Sequence, residues 1–107
     1  LLSENAPQWA RDRVRTVMAQ LRPDGYRQAV ELLVNGDIKA DAERISLPVT
    51  VVVGGADTVT SPDGCKAIAE SFETSNFEVL PGLGHACYVE APDLFNPVLS
   101  AHLEKNA

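Results

Sequence analysis

Cysteine, cations and a serine elbow are what this sequence is short of, and each shortage removes a class of function. Only two cysteines occur, Cys65 and Cys87, too few and too far apart for a zinc-binding pattern. One falls in an expected helix and the other after a histidine, so no disulfide is predicted. His85-Ala86-Cys87 with Asp57 as a third donor would still lack a second histidine; no metal is expected, and no cofactor is indicated. From residue 45 onward there are two Lys+Arg against eight Asp+Glu, whereas residues 1–44 carry seven of each, so the whole net charge of −6 lies in the second segment. Phosphate neutralisation needs clustered cations, which argues against nucleic acid as a partner. No run approaches the roughly 20 apolar residues of a membrane span. Reduced thiols without a signal-like apolar start predict a cytoplasmic location, although loss of an N-terminal half would have removed a signal too.

The missing elbow matters more. No G-x-S-x-G occurs, and Ser3, Ser46, Ser61, Ser71, Ser75 and Ser100 all lack the strand–turn–helix setting that makes a serine nucleophilic.

What is present is concentrated in two glycine-rich segments, each at the end of an apolar run. Leu47-Pro48-Val49-Thr50-Val51-Val52-Val53 is β-branched and nearly unbroken, as suits a strand buried on both faces of a parallel sheet, and predicts a strand over 49–53. Ser61-Pro62-Asp63 combines a hydroxyl N-cap, a proline at the first helical position and an acid in the first turn, predicting a helix over 62–72. Phe77-Glu78-Val79-Leu80 reads as a second strand stopped by Pro81-Gly82. Strand, helix and strand form a βαβ unit, whose right-handed crossover makes the strands parallel.

Parallel strands end on the same edge of the sheet, and open α/β sheets place their sites just outside it. Asp57 and His85 both fall there. Neighbouring strands run roughly 4.8 Å apart, close enough for the two loops to bring carboxylate and imidazole into contact. Gly54 and Gly55 are expected to allow a sharp turn out of the first strand, and Gly82 and Gly84 to give the histidine loop backbone angles that larger residues resist. Read alone, Asp57 suits a turn former and His85 a structural loop histidine; their pairing is what points to chemistry.

The segments Gly54-Gly55-Ala56-Asp57-Thr58-Val59-Thr60-Ser61-Pro62 and Pro81-Gly82-Leu83-Gly84-His85, with Val89-Glu90-Ala91-Pro92 after them, resemble the C-terminal portion of an α/β-hydrolase over about residues 45–104. The resemblance implies an α/β fold in which a parallel βαβ unit and a C-terminal helix are preceded by a helical, cap-like segment. It also implies that Asp57 is the triad acid and His85 the triad histidine. Asp57 would accept the imidazole Nδ1–H and stabilise the imidazolium, while Nε2 of His85 takes a proton from the nucleophile or a water. Acid before histidine is the family's chain order. The nucleophile and the oxyanion-hole loop lie outside this sequence.

A complete α/β-hydrolase is about twice the length of these 107 residues or more. The chain, which opens Leu1-Leu2 without methionine, is therefore expected to be a C-terminal fragment of a longer enzyme, inactive by itself, with a separately encoded short chain as the other case. A two-stranded parallel unit leaves long edges unpaired, so the isolated chain is expected to associate with itself or with the missing half.

The division falls near residue 44. In the 1–44 segment, Trp9, Ala10, Val14, Val17, Met18 and Leu21 lie near one face of a helix over 7–22, and Tyr26, Ala29, Val30, Leu33 and Val34 near one face of a second over 24–35. Asn35-Gly36 is a stop signal, and a third short helix is expected over 37–44. Helices inserted before the acid-bearing strand form a cap in the family, which segment 1–35 resembles. Trp9 is expected in a core rather than against substrate. Arg11 and Arg15, with Arg13 nearby, read as a solvated face partnered by Asp12 and Glu4 rather than a carboxylate-binding patch. In the 45–107 segment, a last helix over 92–104 meets Pro97 about one turn in, which predicts a kink or a fresh start near Asn96. His102, near its end, is expected to complement the negative helix terminus.

Three functions are compatible with this pattern. One is hydrolysis of an ester, lactone or related small-molecule carbonyl substrate. A second keeps the fold but uses an aspartate nucleophile, as in dehalogenases and epoxide hydrolases. The third is a non-catalytic interaction module.

Overall fold

The computed structural model describes residues 1–107. Three helices come first, α1 (Gln8–Ala19), α2 (Pro23–Asn35) and α3 (Ile38–Ala42). Then follow β1 (Val49–Gly54), α4 (Pro62–Ala69), β2 (Ser75–Leu80), α5 (Cys87–Glu90) and α6 (Pro92–Lys105). The strands form a two-stranded parallel sheet, in register from Val49 opposite Ser75 to Gly54 opposite Leu80. The βαβ reading therefore holds, with β2 starting two residues earlier than its apolar run because Ser75 and Asn76 also pair with β1.

Local chemistry explains the boundaries. The Ser61 hydroxyl accepts from the Gly64 amide at 3.2 Å and Pro62 sits at the first helical position, so α4 starts where two orphan-amide problems are solved at once. Asp37 caps α3 by accepting from the Ala40 amide at 3.1 Å. The chain leaves α2 at Gly36 in an extended conformation (φ −78°, ψ 145°), so this stop does not use the left-handed turn that a terminal glycine usually provides. One uninterrupted helix, α6, contains Pro97, so there is no fresh start near Asn96. Proline forfeits one backbone bond there, and the tie between His102 and β1 holds the helix downstream of it.

His102 lies in the last turn of α6, as expected, and the tie gives it a second role. His102 Nδ1 lies 2.8 Å from the Thr50 hydroxyl, so the side chain fastens α6 to the sheet rather than serving only the helix terminus. Thr50 and Val52 line a gap with Phe95, Val98 and Leu99 of α6. Alternation turns Val51 and Val53 to the opposite face, and α4 packs against both strands.

Only 13 of the 107 residues are buried, and no large side chain is completely so. The radius of gyration, 15.2 Å, exceeds the about 13 Å of a compact domain of this length. The core is correspondingly small, gathered around Val53, Ala69 and Leu80. On α1 only Ala10 of the predicted apolar face is buried, and α2 buries no residue. Trp9, expected in a core, is 54 % exposed, because no element of the chain packs over that side of α1. No helix is long and apolar enough to cross a membrane.

Candidate functional site

Both strands terminate on one edge, and the two loops leaving them are bonded to each other. The Gly55 amide donates to the Leu80 carbonyl and the Ala56 amide to the Leu83 carbonyl, each at 2.8 Å, while the Asp57 amide returns to the Gly54 carbonyl at 3.0 Å. This approach explains the glycines differently from the turn argument. A methyl group on Gly54 would overlap the carbonyls of Leu83 and Gly84, and one on Gly84 would come within 2.6 Å of the backbone of Leu2 and Ser3. Only Gly82 adopts a positive φ, at 74°. Of the four glycines, one is selected by backbone angle and two by space.

Asp57 folds back on its own loop. Its Oδ1 accepts from the amides of Val59 (2.8 Å) and Thr60 (2.9 Å), and its Oδ2 accepts from the Thr60 hydroxyl at 3.0 Å. The side chain is 3 % exposed. Burial works against its charge, but the Thr60 amide, His85, the Val59 amide and the Thr60 hydroxyl together outweigh it, lowering the pKa from 3.8 to about 2. The carboxylate is thus ionised and can only accept.

His85 supplies the fourth donor. Its Nδ1 lies 2.9 Å from Asp57 Oδ2, with the Thr60 hydroxyl 3.2 Å away. An acceptor-only partner assigns the proton of the neutral imidazole to Nδ1, which leaves the Nε2 lone pair free. Nε2 has no hydrogen-bond partner within the chain, and the side chain is 36 % exposed. It opens on an apolar cleft of about 400 Å³ between α5 and α1, lined by Val14, Val17 and Met18 on one side and Ala86, Tyr88 and Val89 on the other. The arrangement is a base with a fixed tautomer facing a greasy recess.

Two groups escaped the sequence reading. Thr60 closes the acid loop through both amide and hydroxyl; the Asp-x-x-Thr spacing of a side-chain-capped turn was a usable signal. Glu90 lies in Val89-Glu90-Ala91-Pro92, where the sequence signals no role for it. It is 4 % exposed and accepts from the Gly84 and Ser3 amides, each at 3.0 Å, and from the Ser3 hydroxyl. Nothing local in the sequence announces a partner 87 residues away. Arg11 also departs from expectation: rather than a solvated face, it donates to the carbonyls of Ser3 (3.1 Å), Glu4 (2.7 Å) and Ala6 (3.2 Å). Arg15 does meet Asp12, in an exposed pair at 3.5 Å.

Both cysteines are free. Cys87 is buried, and burial pushes its thiol pKa up, which disfavours a thiolate beside His85. No three His, Cys, Asp or Glu side chains are grouped so as to hold a metal ion.

No protein-family model matches the chain. It is 33 % identical over 88 residues to 3-oxoadipate enol-lactonase 2 of Acinetobacter baylyi, an alignment covering 82 % of this chain and 33 % of that enzyme. It is 30 % identical over 102 residues to the pimeloyl-[acyl-carrier protein] methyl ester esterase of Chromobacterium violaceum, covering 92 % of this chain and 40 % of the esterase. Among solved structures, a thermophilic esterase from Thermogutta terrifontis superposes with a TM-score of 0.62 at 29 % identity, over 64 % of this chain and 25 % of that one. The chain spans about a third to two fifths of the length of the curated relatives it matches. Its homologues are α/β-hydrolase enzymes, and its fold is a part of the α/β-hydrolase fold.

Proposed function

We propose that this chain supplies the acid and the base of a hydrolase acting on an ester, lactone or related carbonyl compound, with the nucleophile coming from outside these 107 residues. The observation that carries the reading is the 2.9 Å contact between His85 Nδ1 and an Asp57 carboxylate held ionised by its own loop. The named activities of the relatives, a lactonase and an esterase, support a carbonyl substrate.

In this reading Nε2 of His85 removes the proton from a hydroxyl nucleophile as that oxygen attacks the carbonyl carbon. Asp57 stabilises the imidazolium that forms, without taking its proton. The imidazolium then returns the proton to the departing alkoxide as the C–O bond breaks. Water, deprotonated in turn by Nε2, hydrolyses the acyl intermediate and regenerates the nucleophile. Residues 1–44 form a cap-like segment whose α1 walls the recess beside His85, with residues 45–107 as the core part; the support is the position of Val14, Val17 and Met18. A cytoplasmic location rests on the two free thiols.

The test is hydrolysis of a chromogenic short-chain ester and of a lactone by the protein in a form that includes the nucleophile. Turnover should be abolished in His85→Ala and reduced on the order of 10⁴-fold in Asp57→Asn, which spoils the tautomer. Unchanged turnover in His85→Ala would sink the proposal. The 107-residue chain alone should be silent toward both substrates.

A further inference from the structure

Three polar residues are buried in the whole molecule: Asp57, Glu90 and Ser3. Asp57 belongs to the acid–base pair, and the other two are bonded to each other. An ionised carboxylate taken out of water is costly unless its lone pairs are filled, and those of Glu90 are filled by donors from two distant places. One is Ser3, through amide and hydroxyl, and the other is the amide of Gly84, the residue immediately before His85. On the far side of His85, the Ala86 amide donates to the Leu1 carbonyl at 2.8 Å. The amides of the residues on either side of the histidine are therefore both held, one by Glu90 and one by the segment that Glu90 holds. Arg11 secures the same segment from α1 by its three carbonyl contacts.

We propose that Glu90 is a positioning residue for His85, its carboxylate clamping the Gly84 amide to Ser3 so that the imidazole meets Asp57 through Nδ1. This rests on the reading of Asp57 and His85 as a working pair. The clamp has a steric half as well: Gly84 lies so close to Leu2 and Ser3 that any side chain there would drive the segments apart. Glu90, one short helix downstream of the histidine, draws them together. The alignment of the base then depends on the segment that leads into α1, which links the cap-like part to the chemistry without touching substrate.

Glutamine at position 90 tests the charge separately from the shape. Its carbonyl oxygen can take the place of Oε2 and accept both amides, while its NH₂ faces the Ser3 hydroxyl, which can accept. Alanine leaves the Gly84 and Ser3 amides unpaired in a buried site. The readout is the side-chain ¹H–¹⁵N spectrum of His85 in the full chain, which reports tautomer and the hydrogen bond to Asp57 independently of catalysis. Wild type and Glu90→Gln should show the Nδ1–H tautomer with a low-field proton, and Ser3→Ala, which keeps the Gly84 contact, should retain it. Glu90→Ala should lose the low-field proton and show the tautomer mixture of a free imidazole. A cooperatively folded Glu90→Ala with the wild-type signal overturns the proposal. Where Glu90→Ala fails to fold, Glu90→Asp, which keeps the charge but withdraws it by one methylene, decides instead: a shifted signal supports the clamp and an unshifted one overturns it. A wild-type chain lacking the Nδ1–H signature overturns the pair and Glu90's role together, whereas a signature that survives in the folded variants removes Glu90's role alone.

Discussion

The loops at the sheet edge and the helices before the sheet satisfy themselves to opposite degrees. Around Asp57, His85 and Glu90 every buried polar side-chain atom has a hydrogen-bond partner, all of them supplied by this chain. On α2, by contrast, Leu32, Leu33 and Val34 are 71–76 % exposed and nothing from the chain covers them. Polar geometry is directional and needs only a few well-placed groups, so a carboxylate, two amides and a hydroxyl complete the Asp57 turn locally, and three donors suffice for Glu90. Apolar burial has no direction and needs area, which 107 residues with one small sheet do not provide for three extra helices. The chain thus encodes a bonded carboxylate–imidazole pair more completely than it encodes a core.

The largest effect that could break this contrast is catalytic. If the pair is functional, removing His85 from the nucleophile-bearing protein should lower kcat on the order of 10⁶-fold, comparable to removing the whole triad, because the groups act as a unit. The double variant His85→Ala/Asp57→Asn should then be scarcely worse than His85→Ala alone. Additive losses in steady-state kinetics would mean that the two side chains serve separate purposes, and that the completeness of their bonding is structural.

Next in size is a backbone effect. Gly54→Ala places a methyl group against the carbonyls of Leu83 and Gly84, where the two loops are joined and neither can retreat without breaking the bonds from Gly55 and Ala56. Overpacking of this kind costs roughly 1–3 kcal/mol, and urea denaturation should place Gly54→Ala near the upper end. Gly25→Ala is the control, since a methyl group there meets nothing within 4 Å; inside α2 it should be neutral or stabilising through helix propensity.

Acid should dismantle the loops before it touches the helices. The folded pKa of Asp57, about 2, lies below the ordinary 3.8 of an unfolded aspartate. Its contribution, about 2 kcal/mol for a difference of this size, is therefore complete above about pH 4 and is lost as pH falls through about 2. Glu90 acts in the same direction: burial raises its pKa, but the Ser3 hydroxyl, the Ser3 and Gly84 amides and the nearby Arg11 charge outweigh it and hold the carboxyl below its ordinary value. Between pH 4 and pH 2 the His85 and Gly84 resonances should broaden or shift while far-UV circular dichroism of the helices changes less. Simultaneous loss of both signals would show that the two regions are one cooperative unit.

Much of this was legible in the residues, unevenly so. Pro48, the valines of β1 and Ser61-Pro62 define the βαβ unit because capping, proline geometry and β-branched packing act over neighbouring positions. Asp57 and His85 could be brought to one edge because parallel strands share one. Glu90 could not be read, since its partner Ser3 is 87 residues away and such a distant meeting leaves no periodicity, and Arg11 could not because its partners are backbone carbonyls of the preceding loop, which no residue type signals. Gly54 and Gly84 stand out in the sequence, but a sequence does not say whether a glycine serves an angle or, as at these two positions, a clearance. Trp9 and the α2 face carried a true amphipathic pattern, yet the pattern tells only that a helix has an apolar side and not that the same chain supplies the surface for it.

The smallest predicted effect follows from that last point. Leu33 is 71 % exposed on α2, whereas Val53, in β1, is 2 % exposed. Leu33→Gln removes the larger apolar side chain but almost no buried area, and its effect on the unfolding free energy of the chain should stay within about 0.5 kcal/mol. Val53→Ala is the milder change in hydrophobicity and should cost more, roughly 1–2 kcal/mol, because two methyl groups leave a packed site. The ranking opposes what hydrophobicity alone would give. Should Leu33→Gln prove as costly as Val53→Ala in urea titrations at low protein concentration, the α2 face would have to be covered in solution, and the distinction between a self-satisfied site and an open helical face would fail.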